Sequence, residues 1–243
     1  MNELKQIDEF RKVLSDYQLP EAAKSALEQI ELVMLVGPSS SGRNSIINEL
    51  LKSGSYHYVI SDTTRQPREN NGVLEQNGRE YWFRTEDEIL DDLKAGKFLE
   101  AAIIHNQQVS GISIRELQAA ADERKIAIDE IEVVGADNIH KVAPEVIFLF
   151  ILPPSFDEWM VRMNARGTLP EDETRRRLES AINEVSIALD RNFYCFIVND
   201  TFVKTATKVD DIAHGQVIST EEQAAARKVA KQLIADTKAY LNQ

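Results

Sequence analysis

The chain is poor in cysteine, in long apolar runs and in positive charge, and each shortage removes a class of protein. Its 243 residues include one cysteine, Cys195. No internal disulfide can form, and the flanking Tyr194 and Phe196 mark this thiol as a buried structural one. A cysteine-stapled scaffold is excluded, and a reducing compartment fits. No apolar run reaches the roughly 18 residues that a membrane span needs. The start, Met1-Asn2-Glu3-Leu4-Lys5, has an acidic residue and no continuous apolar stretch of the kind that opens a signal peptide. We therefore expect a soluble, cytoplasmic protein with no membrane partner. Lysine and arginine number 28 against 40 acidic residues, a formal net charge of −12, which repels nucleic acid over most of a surface. Any anion site has to be a local concentration of Arg and Lys. His57, His105, His140 and His214 are scattered without ligand-like spacing, so no protein-held metal is expected.

The length suits one large α/β domain, or a core with inserted pieces. Leu4, Ile7, Phe10, Leu14 and Tyr17 recur at helical spacing, and Pro20 interrupts before a second helical stretch, Glu21 to Gln29; residues 1–30 thus form an appended helical extension. Continuous apolar runs, the mark of strands covered on both faces, occur at Leu32 to Val36, Tyr56 to Ile60, Ile126 to Ile131, Val146 to Leu152 and Tyr194 to Val198. Helical stretches at Ser45 to Lys52, Ile114 to Arg124 and Glu171 to Leu189 alternate with them, which predicts a five-stranded parallel sheet. Two segments break that rhythm. Residues 61–111 form a polar, arginine-containing insertion around Tyr81-Trp82-Phe83, and residues 154–178 form an arginine-rich stretch suited to a lid. The acidic run Glu86-Asp87-Glu88 with Asp91 and Asp92 is expected to be a solvated helix face, and Trp159 a packing residue. In the segment 201–243 the last helix starts at the S-x-x-E pattern Ser219 to Glu222, with Ala225, Val229, Leu233 and Leu241 as its candidate apolar face.

The first strand leads into Gly37-Pro38-Ser39-Ser40-Ser41-Gly42-Arg43-Asn44-Ser45. This has the frame of a phosphate-binding loop, in which glycines let backbone N–H groups close around phosphates, a Lys neutralises the β/γ charge and a hydroxyl reaches the metal. Arg43 stands where the Lys belongs and Asn44 where the Ser or Thr belongs. Downstream, Ser61-Asp62-Thr63-Thr64-Arg65-Gln66-Pro67-Arg68 puts two guanidinium groups and several hydroxyls on one turn, a composition that suits a phosphate.

Taken with Asn71-Gly72, Tyr81-Trp82-Phe83, Gly96-Lys97-Phe98-Leu99-Glu100, Phe148 to Ser155, Arg166-Gly167-Thr168, Arg177-Leu178 and Val198-Asn199-Asp200, these motifs resemble the guanylate kinase family in order and spacing, from about Leu32 to Asp200. The resemblance implies an α/β, P-loop NTPase-type core over 31–200 with an inserted GMP-binding subdomain and a lid. It implies that Ser61, Arg65, Arg68 and Tyr81 hold the phosphate of GMP, that Glu100 accepts hydrogen bonds from the guanine N1–H and 2-amino group, and that Glu132 falls at the same site. An ionised carboxylate is acceptor-only and so selects a base edge made of donors. On the ATP side it implies Gly37, Ser39, Ser41, Gly42, Arg43, Asn44, Ser45 and Asn199, with Arg43, Arg166 and Arg177 stabilising the transferring phosphoryl group.

The departures from the family pattern cluster on the ATP side. Ser40 replaces a Gly, and the usual D-x-D-x-Q-G is Glu130-Ile131-Glu132-Val133-Val134-Gly135, with Asp129 a competing alignment for the first carboxylate. The family's Tyr-Gly-[ST] is Ser110-Gly111-Ile112 in shifted spacing. Two functions follow. One is a kinase that moves a phosphoryl group from ATP to GMP, with Mg²⁺ arriving on the ATP and held through water and phosphate oxygens rather than in a tight protein site. The other is a catalytically degenerate module that binds GMP or a phosphorylated protein. The lid arginines favour the kinase. The terminal helices offer a homodimer contact.

Overall fold

In a computed structural model of the chain, all residues are described except 1–3, 22–23, 25–26, 71, 105, 166–169 and 243. The described elements run α1 (Ile7–Ser15), β1 (Leu32–Val36), α2 (Arg43–Leu51), β2 (Tyr56–Tyr58), β3 (Asp62–Thr63), β4 (Glu69–Asn70), β5 (Val73–Leu74), β6 (Trp82–Phe83), α3 (Glu86–Lys94), β7 (Phe98–Ile104), β8 (Gln108–Ser113) and α4 (Ile114–Asp122). They continue with β9 (Ile126–Glu130), α5 (Val133–Val142), β10 (Ile147–Leu152), α6 (Phe156–Asn164), α7 (Glu171–Leu189), β11 (Tyr194–Val198), α8 (Phe202–Ala213) and α9 (Thr220–Leu241). The helix expected over Glu21 to Gln29 lies partly outside the described residues. The chain divides into two compact units: Met1–Glu31 with His57–Ala127 and Asp137–Glu145, and Leu32–Tyr56 with Ile128–Ala136 and Val146–Gln243.

A five-stranded parallel sheet has the order β11-β10-β1-β9-β2. Its five apolar runs are the five expected, three of them cut short: Tyr56 to Ile60 yields only Tyr56–Tyr58, and the runs from Ile126 and Val146 each lose one residue. β1 is buried at every position and pairs with β10 in the register Val33 to Ile147 and Val36 to Phe150. Beyond β10, Phe148, Phe150, Tyr194 and Phe196 meet in tilted and edge-on contacts, the geometry that aromatic quadrupoles prefer. α2 begins at Arg43, two residues before the expected Ser45, because Gly42 with φ 101 forms its N-cap.

In the second unit α9 packs on α7 and β11. Its buried face is Ala226, Ala230, Leu233 and Thr237; Ala225 is exposed. Of the expected stripe, Leu233 is buried and Val229 and Leu241 are partly buried, while Ala225 faces out and Ala226 takes the inward place. Two polar anchors set the rotation. Gln223 accepts from the Phe196 N–H at 2.9 Å and donates to the Phe196 carbonyl at 3.0 Å, while Arg227 lies over the Phe196 ring and donates to the carbonyls of Leu189 and Arg191. The Ser219 cap is present, its hydroxyl accepting from the Glu222 N–H.

The first unit holds a four-stranded sheet in the order β6-β3-β8-β7. It takes in the N-terminal extension: Leu4 and Phe10 are buried with Ile89, Leu90, Leu93 and Phe98, and the Tyr17 hydroxyl both donates to the Phe98 carbonyl and accepts from the Phe98 N–H. The acidic face of α3 is not simply solvated. Glu86 accepts from the N–H groups of Lys5 and Gln6, and Asp92 pairs with Arg84 and Lys97, because the extension and Arg84 supply donors that α3 alone could not reveal.

Candidate active site

The loop from Gly37 to Gly42 lies in the second unit between β1 and α2. A Cβ on Gly37 would stand 2.3 Å from the Ile151 carbonyl oxygen, and one on Gly42 the same distance from Asn199 Nδ2, so both frame glycines are dictated by close approach. Ser40 has φ 65. This is the left-handed conformation that a Gly reaches freely and a serine adopts at a cost of about 1–2 kcal/mol. The loop is held from outside. Trp159, fully buried on α6, donates its indole N–H to the Ser39 carbonyl at 2.8 Å. Asn199, also buried, donates to the Ser41 carbonyl at 2.8 Å and accepts from Thr205 at 2.9 Å, so its amide is committed to the loop. Arg162 donates to the carbonyls of Asn199 and Asp200.

Arg43 lies against Glu130, its Nε 3.3 Å from the carboxylate, and also donates to the Ile131 carbonyl. Oriented by its hydrogen-bond options, the Asn44 amide nitrogen donates to the same carboxylate at 3.2 and 2.9 Å. Ser45 sits exposed in the first turn of α2. Half-buried Glu184 on α7 has its carboxyl held above the ordinary range, chiefly by burial; a Ser180 hydrogen bond and the Arg43 charge oppose the shift and the Glu132 charge adds to it. On the same helix Arg177 bonds Glu173 at 2.6 Å. Arg166 lies outside the described residues.

Ser61, Arg65, Arg68, Tyr81 and Glu100 all lie in the first unit, and Glu132 belongs to the second. Asp62, fully buried, is flanked by Arg84 at 3.0 Å and Arg115 at 3.2 Å. Burial still raises its carboxyl above the ordinary range, with the charge of Arg115 and the hydrogen bonds of Ser113 and Arg84 opposing. Arg65 forks onto buried Glu75 at 2.5 and 2.9 Å and stacks on Tyr81 at 4.5 Å. Glu75 also accepts from the Arg68 N–H, tying the turn together. Glu100 follows a bulge in β7 opposite β8, the device that re-aims a side chain on a strand, and Gly111 lets the two backbones approach, since a Cβ there would stand 2.5 Å from the Glu100 carbonyl oxygen. A cavity of about 620 Å³ opens beside the Arg65 to Arg68 turn, lined in part by Arg84 and, from the extension, Lys5; neither Tyr81 nor Glu100 lines it.

The residues to which sequence reasoning gave no role at the site are those acting behind others: Asp62, Glu75 and Arg162, with Trp159 expected only to pack. Asp62 alone carried a signal, as an acid among arginines on the S-D-T-T-R turn. Among the described residues no group of three or more His, Cys, Asp and Glu is placed to hold a metal ion, and no helix is long and apolar enough to cross a membrane.

Compared with known proteins, residues 29–216 match the guanylate kinase family profile. The chain is 32% identical over 186 residues to a guanylate kinase of Clostridium tetani, spanning 76% of this chain and 86% of that one. It is 33% identical over 187 residues to a guanylate kinase of Corynebacterium diphtheriae, spanning 76% and 95%. Guanylate kinase 1 of Oryza sativa is 36% identical over 155 residues, but the match spans only 39% of that longer protein. The crystal structure of guanylate kinase from Anaplasma phagocytophilum superposes with a TM-score of 0.55 at 25% identity, over 83% of this chain and 93% of that one.

Proposed function

Because this chain belongs to the guanylate kinase family, we propose that it transfers the γ-phosphoryl group of ATP to GMP, giving ADP and GDP. The observation that carries this reading is the family match over residues 29–216, a range that includes both the Gly37 to Gly42 loop and the Arg65 to Arg68 turn.

In this reading Ser61, Arg65, Arg68 and Tyr81 bind the GMP phosphate. Glu75 and the Tyr81 ring support it by fixing the plane of the Arg65 fork before the ligand arrives. Glu100 accepts from the guanine donor edge, which adenine does not present. The backbone of the loop from Gly37 to Ser45 closes on the ATP phosphates, and Asn199 acts on ATP through the loop it holds. Arg166 and Arg177 reach the transferring group, Arg177 on release from Glu173. Mg²⁺ supplies charge neutralisation on the ATP with which it enters. Among the described residues Glu130 does not fit a protein-held ion, since its carboxylate already accepts from Arg43 and Asn44. The single cysteine suits a reaction in the cytoplasm.

The test is a coupled assay for ADP release with ATP and either GMP or AMP. GMP-dependent release is expected, with Arg65→Ala raising KM for GMP about tenfold or more and Glu100→Gln narrowing the preference for GMP over AMP. ATP turnover that ignores GMP, or no turnover, would reject the reading.

A further inference from the structure

In phosphate-loop enzymes the hydroxyl that follows the loop Lys and an acidic residue at the end of a neighbouring strand share the divalent cation. Here those two places hold Asn44 and Glu130, and they face each other. The Asn44 amide nitrogen lies 3.2 and 2.9 Å from the two Glu130 oxygens, and Arg43 closes the third side with Nε at 3.3 Å. An amide N–H and a guanidinium are donors and cannot ligate a cation, and with the Asn44 nitrogen turned to Glu130 the amide oxygen, which could, is turned away from that carboxylate. A cation placed against Glu130 would also meet the like charge of Arg43, whose side chain is only 17% exposed.

We infer that the Arg43–Glu130–Asn44 cluster fills the position of the loop's metal, so that the donor nucleotide is gripped through Arg43 and no metal ion is ligated by the chain. The inference rests on the proposed use of this loop for a nucleoside triphosphate and goes beyond it in naming what supplies the charge. It also accounts for two departures at once. When nucleotide arrives, the Arg43 guanidinium exchanges the Glu130 carboxylate for a phosphate oxygen, a partner of the same geometry and greater charge. Asn44 keeps hold of the partly exposed carboxylate that Arg43 leaves, so that acceptor keeps a donor. Lys at 43 could reach only as a point charge, and Ser at 44 has too short an arm to hold Glu130 aside.

The experiment is done on the full chain by calorimetry with a non-hydrolysable ATP analogue, and by electron paramagnetic resonance of Mn²⁺ titrated into the protein–analogue complex. In the wild type the complex is expected to bind Mn²⁺ no more than about twofold tighter than the free analogue does. Arg43→Lys with Asn44→Ser, which rebuilds the missing ligand, should make that binding about tenfold tighter. Glu130→Gln, by freeing Arg43, should tighten the analogue itself severalfold in EDTA, and Glu132→Gln, which removes the same charge without touching Arg43, should do so less. A thermal melt of each variant checks that it is folded. Wild-type complex that binds Mn²⁺ tenfold tighter than free analogue, a Glu130→Gln variant that loses metal affinity, or a wild type that binds no analogue would each overturn the inference. None of these readings needs GMP or turnover, so a failed kinase assay leaves them intact and is told apart from their failure.

Discussion

In the first unit Asp62 stands fully buried between Arg84 and Arg115, and Arg65 forks onto Glu75 while stacking on Tyr81. In the second, Arg43 lies across Glu130 with Asn44 beside it, at the edge of a loop whose Ser40 sits at φ 65. Both regions pair guanidinium with carboxylate, but to different ends. The first sets planar forks in fixed directions around acids that are already desolvated, so the arginines are oriented before any ligand binds. The second ties its cation to a carboxylate that is 28% exposed and has another donor available, an arrangement suited to exchange. Buried ion pairs are weak contributors to net stability but costly to break from one side, and this asymmetry makes the contrast measurable.

The largest effect is expected at Asp62→Ala. It takes a close carboxylate from Arg84, which keeps Asp92, and from half-exposed Arg115, and urea unfolding should register a loss of about 1.5–3 kcal/mol. A loss under about 1 kcal/mol would mean that the first unit's charges are as loosely held as the second's. A middle effect is expected in the loop. Trp159→Phe removes the indole N–H from the Ser39 carbonyl and should cost about 1–2 kcal/mol, whereas Ser40→Gly relieves the left-handed serine and should gain about 1 kcal/mol. If Ser40→Gly destabilises instead, the loop is not strained.

The smallest effect is at Glu184. Burial lifts its native carboxyl above the ordinary value, so the folded protein keeps that proton to higher pH than the unfolded chain does. Stability from this group is therefore greatest below the ordinary carboxylate pKa and falls as pH rises through the raised one. Glu184→Gln should gain on wild type by at most about 1 kcal/mol as pH climbs from about 4 to 7. A gain in the opposite direction, seen by melting across that range, would place Glu184 among the stabilising partners of Arg43.

Patterns confined to neighbouring residues could be read from the chain alone. Five consecutive apolar residues at Leu32 to Val36 can be satisfied only by cover on both faces, and the S-x-T-T-R-x-P-R turn carries its own chemistry. What escaped depended on partners distant in sequence. Glu75 is separated from Arg65 by a hairpin, and nothing local distinguishes it from Glu69 or Glu80. Trp159 was expected to pack and does, but its hydrogen bond to Ser39 crosses 120 positions. On α9 the expected Leu233 is inward, but Ala225 and Ala226 are equivalent as apolar residues; Gln223 and Arg227, both polar, decide which of them turns inward.

Gln223 has a wider consequence. β11 ends the five-stranded sheet, and at Phe196 the Gln223 amide offers one acceptor and one donor to the backbone N–H and C=O, the pair of groups that a sixth strand would present. The C-terminal helix thus works as a stopper on an open seam, occupying a rung on which another extended chain could begin to add. Shortening the chain before α9 should accordingly show itself first as self-association through that seam, ahead of any change in the strands beneath it.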